Sequence, residues 1–208
     1  MHYFPDRLFA DAGAYAEGYF GRLAAAAATI DFDAVSAAGA LLSETVLAGK
    51  RIYSCGNGGS AAIANHLVCD CLKGIRNGTS MRPKVHSFST TIELISAIAN
   101  DLSYDEVFSY QLESMGEAGD LLIAISSSGS SPNILQSLER AREMNIRTIS
   151  MTGFSGGAAR AKADVNLHVD CSNYGIVEDL HQSLMHILAQ YIRHREIPDQ
   201  STLGSVKF

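Results

Sequence analysis

Asp120-Leu121-Leu122-Ile123-Ala124-Ile125 runs directly into Ser126-Ser127-Ser128-Gly129-Ser130-Ser131-Pro132-Asn133, and this junction decides how the chain reads. The short apolar run predicts a strand buried on both faces, as in a parallel sheet. Beyond the serines, Ile134, Leu135, Leu138 and Ala141 recur at helical spacing. Ser131 is a good N-cap, and Pro132 suits the first helical position, where a missing N–H costs nothing. Five serines and one glycine thus fill a strand-to-helix turn. Free N–H groups, the positive end of a helix dipole and several hydroxyls converge there. That describes an anion site, above all for a phosphate monoester. A solvated Ser/Gly linker is the competing account, and it fits poorly between a buried strand and an amphipathic helix.

Working outward, residues 51–55 read as another strand, followed by Gly56-Asn57-Gly58-Gly59-Ser60 and a helix over 61–72. Strands over 85–88, 148–151 and 165–169 alternate with helices over 91–99 and 104–115, and a long helix covers 177–195. Two helices occupy 8–48, broken near Ile30-Asp31-Phe32-Asp33. The alternation predicts an α/β fold, a parallel sheet with helices on both faces. Ligands of such sheets bind beyond the carboxyl ends of the strands, where both loops and Thr152-Gly153 fall. No internal repeat is visible. The expected organisation is a helical segment over 1–50, one α/β domain over 51–197 and a frayed polar tail over 198–208.

Composition narrows the partners. Of 208 residues, 47% are hydrophobic and 18% charged, which suits a full core and argues against disorder. The net charge of −6 and the lack of a Lys/Arg cluster speak against direct contact with nucleic acid or an anionic membrane. Cys55, Cys69, Cys71 and Cys171 form no CxxC pair, and the start Met1-His2-Tyr3-Phe4-Pro5-Asp6 carries no secretory pattern. No apolar run reaches the roughly 18 residues of a membrane span. The expectation is a cytoplasmic protein with free thiols.

Gly56-Asn57-Gly58-Gly59-Ser60-Ala61 also satisfies the G-x-G-x-x-G/A dinucleotide pattern. A nicotinamide site wants an acidic residue at the end of the next strand, and Phe88-Ser89-Thr90 supplies none. No Gly-Lys-Ser/Thr follows, so the P-loop pattern is absent too. The glycines better serve close backbone approach to a small phosphorylated ligand, with a purely geometric turn as the alternative.

Two helices carry polar residues on apolar faces. His66 and Asp70 are four apart and share a side, with Cys69 nearby. Such a pair can ligate a metal or act as acid and base; a partly exposed polar stripe is the plain alternative. In the last helix, Glu178, Gln182 and His186 form an i, i+4, i+8 stripe, beside Asp179 and His181. Eight residues span roughly 12 Å, so Glu178 and His186 on one straight helix do not readily share one small ion.

Together, Cys55-Gly-Asn-Gly-Gly-Ser60, His66, Ala99-Asn-Asp101, Glu117-Ala-Gly-Asp120, Ile125 to Asn133 and Thr152-Gly153 resemble the SIS (sugar isomerase) family, and within it the phosphoheptose isomerases. The resemblance covers almost the whole chain. It implies a five-stranded flavodoxin-like sheet and a homotetramer with sites between subunits. It also implies phosphate held by Ser126, Ser127, Ser128 and Ser131, with Asn57, Gly58, Ser60, Asn100, Asp101 and Glu178 completing the substrate site. Asp70 takes the position of the glutamate that serves the family as base, with Glu178 as the alternative base if the shorter Asp70 falls short, and His186 takes that of its acid. The zinc set that some members carry maps onto His66, Asp70, Glu178 and His186. The implied activity is conversion of sedoheptulose 7-phosphate to D-glycero-D-manno-heptose 7-phosphate for surface polysaccharide. The alternatives are isomerisation of another sugar phosphate, or a non-catalytic SIS module that binds sugar phosphate or associates with the replication initiator. Three positions depart from the family pattern: Asp70 stands for glutamate, Glu178 for glutamine and Gly175 for aspartate.

Overall fold

The structure is a computed structural model describing residues 3–205, so Met1-His2 and the last three residues of the expected tail lie outside the described residues. Five parallel strands, β1 (Arg51–Gly56), β2 (Lys84–Ser87), β3 (Leu121–Ser126), β4 (Arg147–Thr152) and β5 (Val165–His168), form one sheet in the order β2-β1-β3-β4-β5. In this doubly wound order the direction in which successive strands are added reverses between β1 and β3, which opens a crevice at their carboxyl ends. The register aligns Gly56 with Ile125 and Ser126 with Thr152, so the glycine loop, the serine loop and Thr152-Gly153 emerge level with one another.

Every residue of β3 is buried, which is why its sequence does not alternate. Its side chains nevertheless divide between two cores. Leu121, Ile123 and Ile125 point to one, shared with Leu41, Leu42, Ile63, Leu67, Leu184 and Leu188. Leu122 and Ala124 point to the other, shared with Tyr53, Phe88, Leu112, Ile134 and Leu138. The first layer comprises α2 (Phe32–Leu47), α3 (Gly59–Cys69) and α8 (Tyr174–Glu196); the second comprises α5 (Ser109–Met115) and α6 (Pro132–Glu143) together with Ile98 of α4 (Ile92–Asp101). Helix α1 (Ala12–Ala27) docks on the start of α8, where the Tyr19 hydroxyl donates to Asp179 at 2.5 Å. Asp11 and Asp31 cap α1 and α2 through their carboxylates, which explains the break between them.

Four elements differ from the sequence expectation. The helix expected over 61–72 stops at Cys69 and continues as a π-helical turn, Asp70–Ile75. That over 104–115 divides into a 3-10 turn, Tyr104–Glu106, and α5. The four-residue α7 (Ala159–Lys162) is too short to leave a periodic pattern. In the tail, Asp199 caps a 3-10 turn at Gln200–Thr202 by accepting from the Ser201 N–H.

Candidate active site

The serine loop and the glycine loop enclose a cleft of about 130 Å³ lined by Asn57, Ser60, Ser126, Ser127, Ser128, Ser131, Tyr174 and Glu178. Ser126 stabilises the loop from within, its hydroxyl accepting from the Gly129 N–H at 3.1 Å. Gly129 has φ = 64°, and a Cβ there would collide with the Gly156 carbonyl. Ser131 is the N-cap residue of α6, but its hydroxyl does not cap; it lies 3.5 Å from that of Ser126, turned toward the loop. The Ser127 hydroxyl is buried without a hydrogen-bond partner among the described residues. An orphaned buried hydroxyl costs about 1–3 kcal/mol, which a ligand oxygen in the cleft would offset. The lining includes no Lys or Arg, so an anion here is held by hydroxyls and backbone N–H groups.

Asn57 and Asn133 join the two loops. Asn57 Nδ2 donates to Asn133 Oδ1 at 2.9 Å and Asn133 Nδ2 donates back to Asn57 Oδ1 at 3.0 Å. The Tyr104 hydroxyl donates to the same Asn57 oxygen at 2.9 Å. Glu178 projects from the first turns of α8 onto the start of α3, where a Cβ on Gly59 would collide with its carboxylate. Burial, reinforced by Asp179, raises the Glu178 pKa above the ordinary carboxylate value.

Farther along the same two helices, Asp70 bridges two histidines. Its Oδ2 lies 2.5 Å from His186 Nδ1 and its Oδ1 lies 3.3 Å from His66 Nε2. The other nitrogen of His186 faces the Gln182 side-chain amide, Nε2 to Nε2, at 2.9 Å. His66, Asp70 and His186 offer ligand atoms all within 4.8 Å of one another, a nitrogen/oxygen donor set that suits zinc. Asp70 opens the π-helical turn, an irregularity that often marks functional positions in helices. The Asp70–His186 pair borders its own cavity of about 250 Å³, with Cys69, Lys73 and Gln190.

The structure therefore brings Asn57, Ser60, Ser126, Ser127, Ser128, Ser131 and Glu178 to one cleft, and His66, Asp70 and His186 to a second cluster. Glu178 stands apart from that cluster, two turns from His186 on an unbroken helix. Gly58, with φ = 55°, is the N-cap residue of α3 and is not part of the cleft lining. Asn100 and Asp101 end α4 on the surface, where Asn100 Nδ2 donates to Asp101 Oδ1 at 2.7 Å. Sequence reasoning missed Tyr104 and Tyr174 as site residues, because an isolated tyrosine carries no spacing signal.

A family model described as SIS domain matches residues 15–153. The chain belongs to the SIS domain family. Two curated relatives of this SIS protein are phosphoheptose isomerases. That of Chlorobaculum parvum is 35% identical over 177 residues, covering 84% of each chain. That of Colwellia psychrerythraea is 37% identical over 158 residues, covering 74% of this chain and 80% of its own. Among solved structures, phosphoheptose isomerase from Neisseria gonorrhoeae superposes on the SIS fold with a TM-score of 0.78 at 30% identity, covering 85% of this chain and 96% of that one. The Vibrio vulnificus NanR protein, solved with ManNAc-6P, shares the fold alone, at 16% identity and a TM-score of 0.62.

Proposed function

We propose that the chain is an aldose–ketose isomerase that converts sedoheptulose 7-phosphate to D-glycero-D-manno-heptose 7-phosphate. The observation that carries this reading is the Asp70–His186 contact of 2.5 Å, a carboxylate and an imidazole together on the helices that also border the serine cleft. The serine loop binds the phosphate through Ser126, Ser127, Ser128 and Ser131. Asn57, Gly58, Ser60, Asn100, Asp101 and Glu178 contact the sugar. Asp70 removes the proton from C1 of the ketose while His186 supplies a proton to the C2 oxygen; Asp70 then returns its proton to C2, and the C1 hydroxyl gives its proton back to His186. The net result moves one hydrogen from C1 to C2 and one from O1 to O2, so no oxidant is needed. The donor set fits zinc: His66, Asp70 and His186 would hold the ion, which would supply Lewis-acid polarisation of the sugar carbonyl.

The serine cleft and the Asp70 cluster border different cavities, and large apolar side chains such as Phe20, Phe32 and Ile187 are exposed. Both features support a homotetramer in which one copy's cluster serves another copy's cleft. The relatives' activity suits a cytoplasmic role in supplying heptose for surface polysaccharide, with a sugar phosphate as the small-molecule partner and neither nucleic acid nor membrane engaged. Among the described residues, no single helix is long and apolar enough to cross a membrane. The test is an NMR assay with sedoheptulose 7-phosphate alongside metal analysis. Appearance of an aldose phosphate supports the reading. Metal without conversion redirects it to another sugar phosphate, and neither metal nor conversion in a protein that binds phosphosugars favours a binding module.

A further inference from the structure

We infer that Gln182 is a positioning residue for the metal cluster, an amide that holds His186 in the tautomer required with or without the ion. The inference rests on the metal reading above and extends it to a residue outside the ligand set. His186 is clamped on both sides, with Asp70 Oδ2 at 2.5 Å from Nδ1 and the Gln182 amide nitrogen at 2.9 Å from Nε2. The Asp70 oxygen beside Nδ1 is placed to accept, so the metal-free tautomer that fits this contact carries its N–H on Nδ1, directed at Asp70. Nε2 then carries a lone pair and accepts from the Gln182 N–H, matching the nitrogen-to-nitrogen contact.

A cation among His66, Asp70 and His186 reverses this pattern. Nδ1 is the His186 nitrogen that faces Asp70, so an ion seated beside Asp70 would take its lone pair from Nδ1. A metal-bound neutral imidazole carries its proton on the other nitrogen and needs an acceptor there. Gln182 meets that need by turning its amide over to present Oε1. A leucine can serve neither state, and a glutamate serves only the metal-bound one. The residue lies one turn before His186 on α8 and is half-buried, so its own position is fixed by the helix. Glu178 lacks this access, since it lies two turns away against Gly59.

The experiment measures zinc affinity by competition with a chromogenic chelator, using purified full-length protein, Gln182→Leu and Gln182→Glu. Gln182→Leu is expected to weaken zinc binding about 10- to 100-fold, and Gln182→Glu to retain or exceed the original affinity. Imidazole nitrogen NMR supplies a readout that a merely structural residue would not move. The His186 proton is expected on Nδ1 in the zinc-free protein and on Nε2 after zinc is added. Unchanged affinity in both variants, equal losses in both, or a zinc-free His186 protonated on Nε2 overturns the inference while leaving the metal reading intact. A wild-type protein that takes up no zinc overturns both.

Discussion

Replacing His181 with leucine should flatten the acid limb of the stability profile. His181 is fully buried on α8, and among the described residues neither ring nitrogen reaches a partner in hydrogen-bond geometry. Burial lowers its pKa from 6.5 to about 4; the nearby Thr152 backbone opposes the shift and His168 adds to it. The folded protein therefore binds fewer protons than the unfolded chain between those values, and stability falls as pH drops through that window. A shift of this size corresponds to about 3 kcal/mol when fully expressed below pH 4, and to about 2 kcal/mol at pH 5. His168, lowered by burial and by Arg160 against the opposing pull of Asp170, contributes in the same direction and is retained in both proteins. The assay is urea unfolding at fixed protein concentration, at pH 7.5 and pH 5, for wild type and His181→Leu. Wild type should lose about 2 kcal/mol more than the variant between the two conditions, or roughly 4–8 °C in Tm. At pH 7.5 the variant should be about as stable, because leucine removes a buried imidazole whose only polar support is the weak interaction with the Thr152 backbone. Parallel losses in the two proteins would refute the reasoning.

Three further outcomes are expected. Asp70→Asn should cut turnover by at least about a hundredfold while leaving sugar-phosphate affinity within a few-fold, as read by kinetics and calorimetry; equal turnover removes Asp70 as the base. Ser127→Ala should leave urea stability unchanged or slightly raised, because its hydroxyl has no partner, yet weaken phosphosugar binding about tenfold. A loss of stability with unchanged binding would contradict the placement of that hydroxyl. Gly129→Ala should cost about 1–3 kcal/mol and weaken phosphosugar binding, because the left-handed φ and the contact with Gly156 both resist a side chain. An alanine variant with normal stability and binding would show the loop to be more compliant than its packing suggests.

The parts of this molecule that were legible in sequence are those whose local chemistry and burial agree. The β3 run, the serine loop and Pro132 each demand the same strand-turn-helix, and the structure follows them to within a residue. Eight residues of straight helix likewise require Glu178 and His186 to stand apart, as they do on α8. Other features depend on tertiary contact. The π-helical turn at Asp70 has no periodic signature, since one extra residue per turn looks in sequence like an ordinary helix losing phase. Tyr104 reaches Asn57 across 47 positions, and no spacing rule connects them. Gln182 appeared in the polar stripe of α8, but its role depends on which way the His186 ring is turned, which only Asp70, on another helix, decides.

The reciprocal amide pair between Asn57 and Asn133 has a consequence for redesign. The two residues lie 76 positions apart, yet each satisfies the other's hydrogen-bonding groups. Replacing Asn57 strands the fully buried amide of Asn133, and replacing Asn133 strands the half-buried amide of Asn57. The two loops therefore form one mechanical plate with a seam through its centre. Reshaping the cleft for a shorter or longer sugar requires substituting both sides of the seam in a single step, and a library that varies one loop at a time will discard the useful combinations before they are seen.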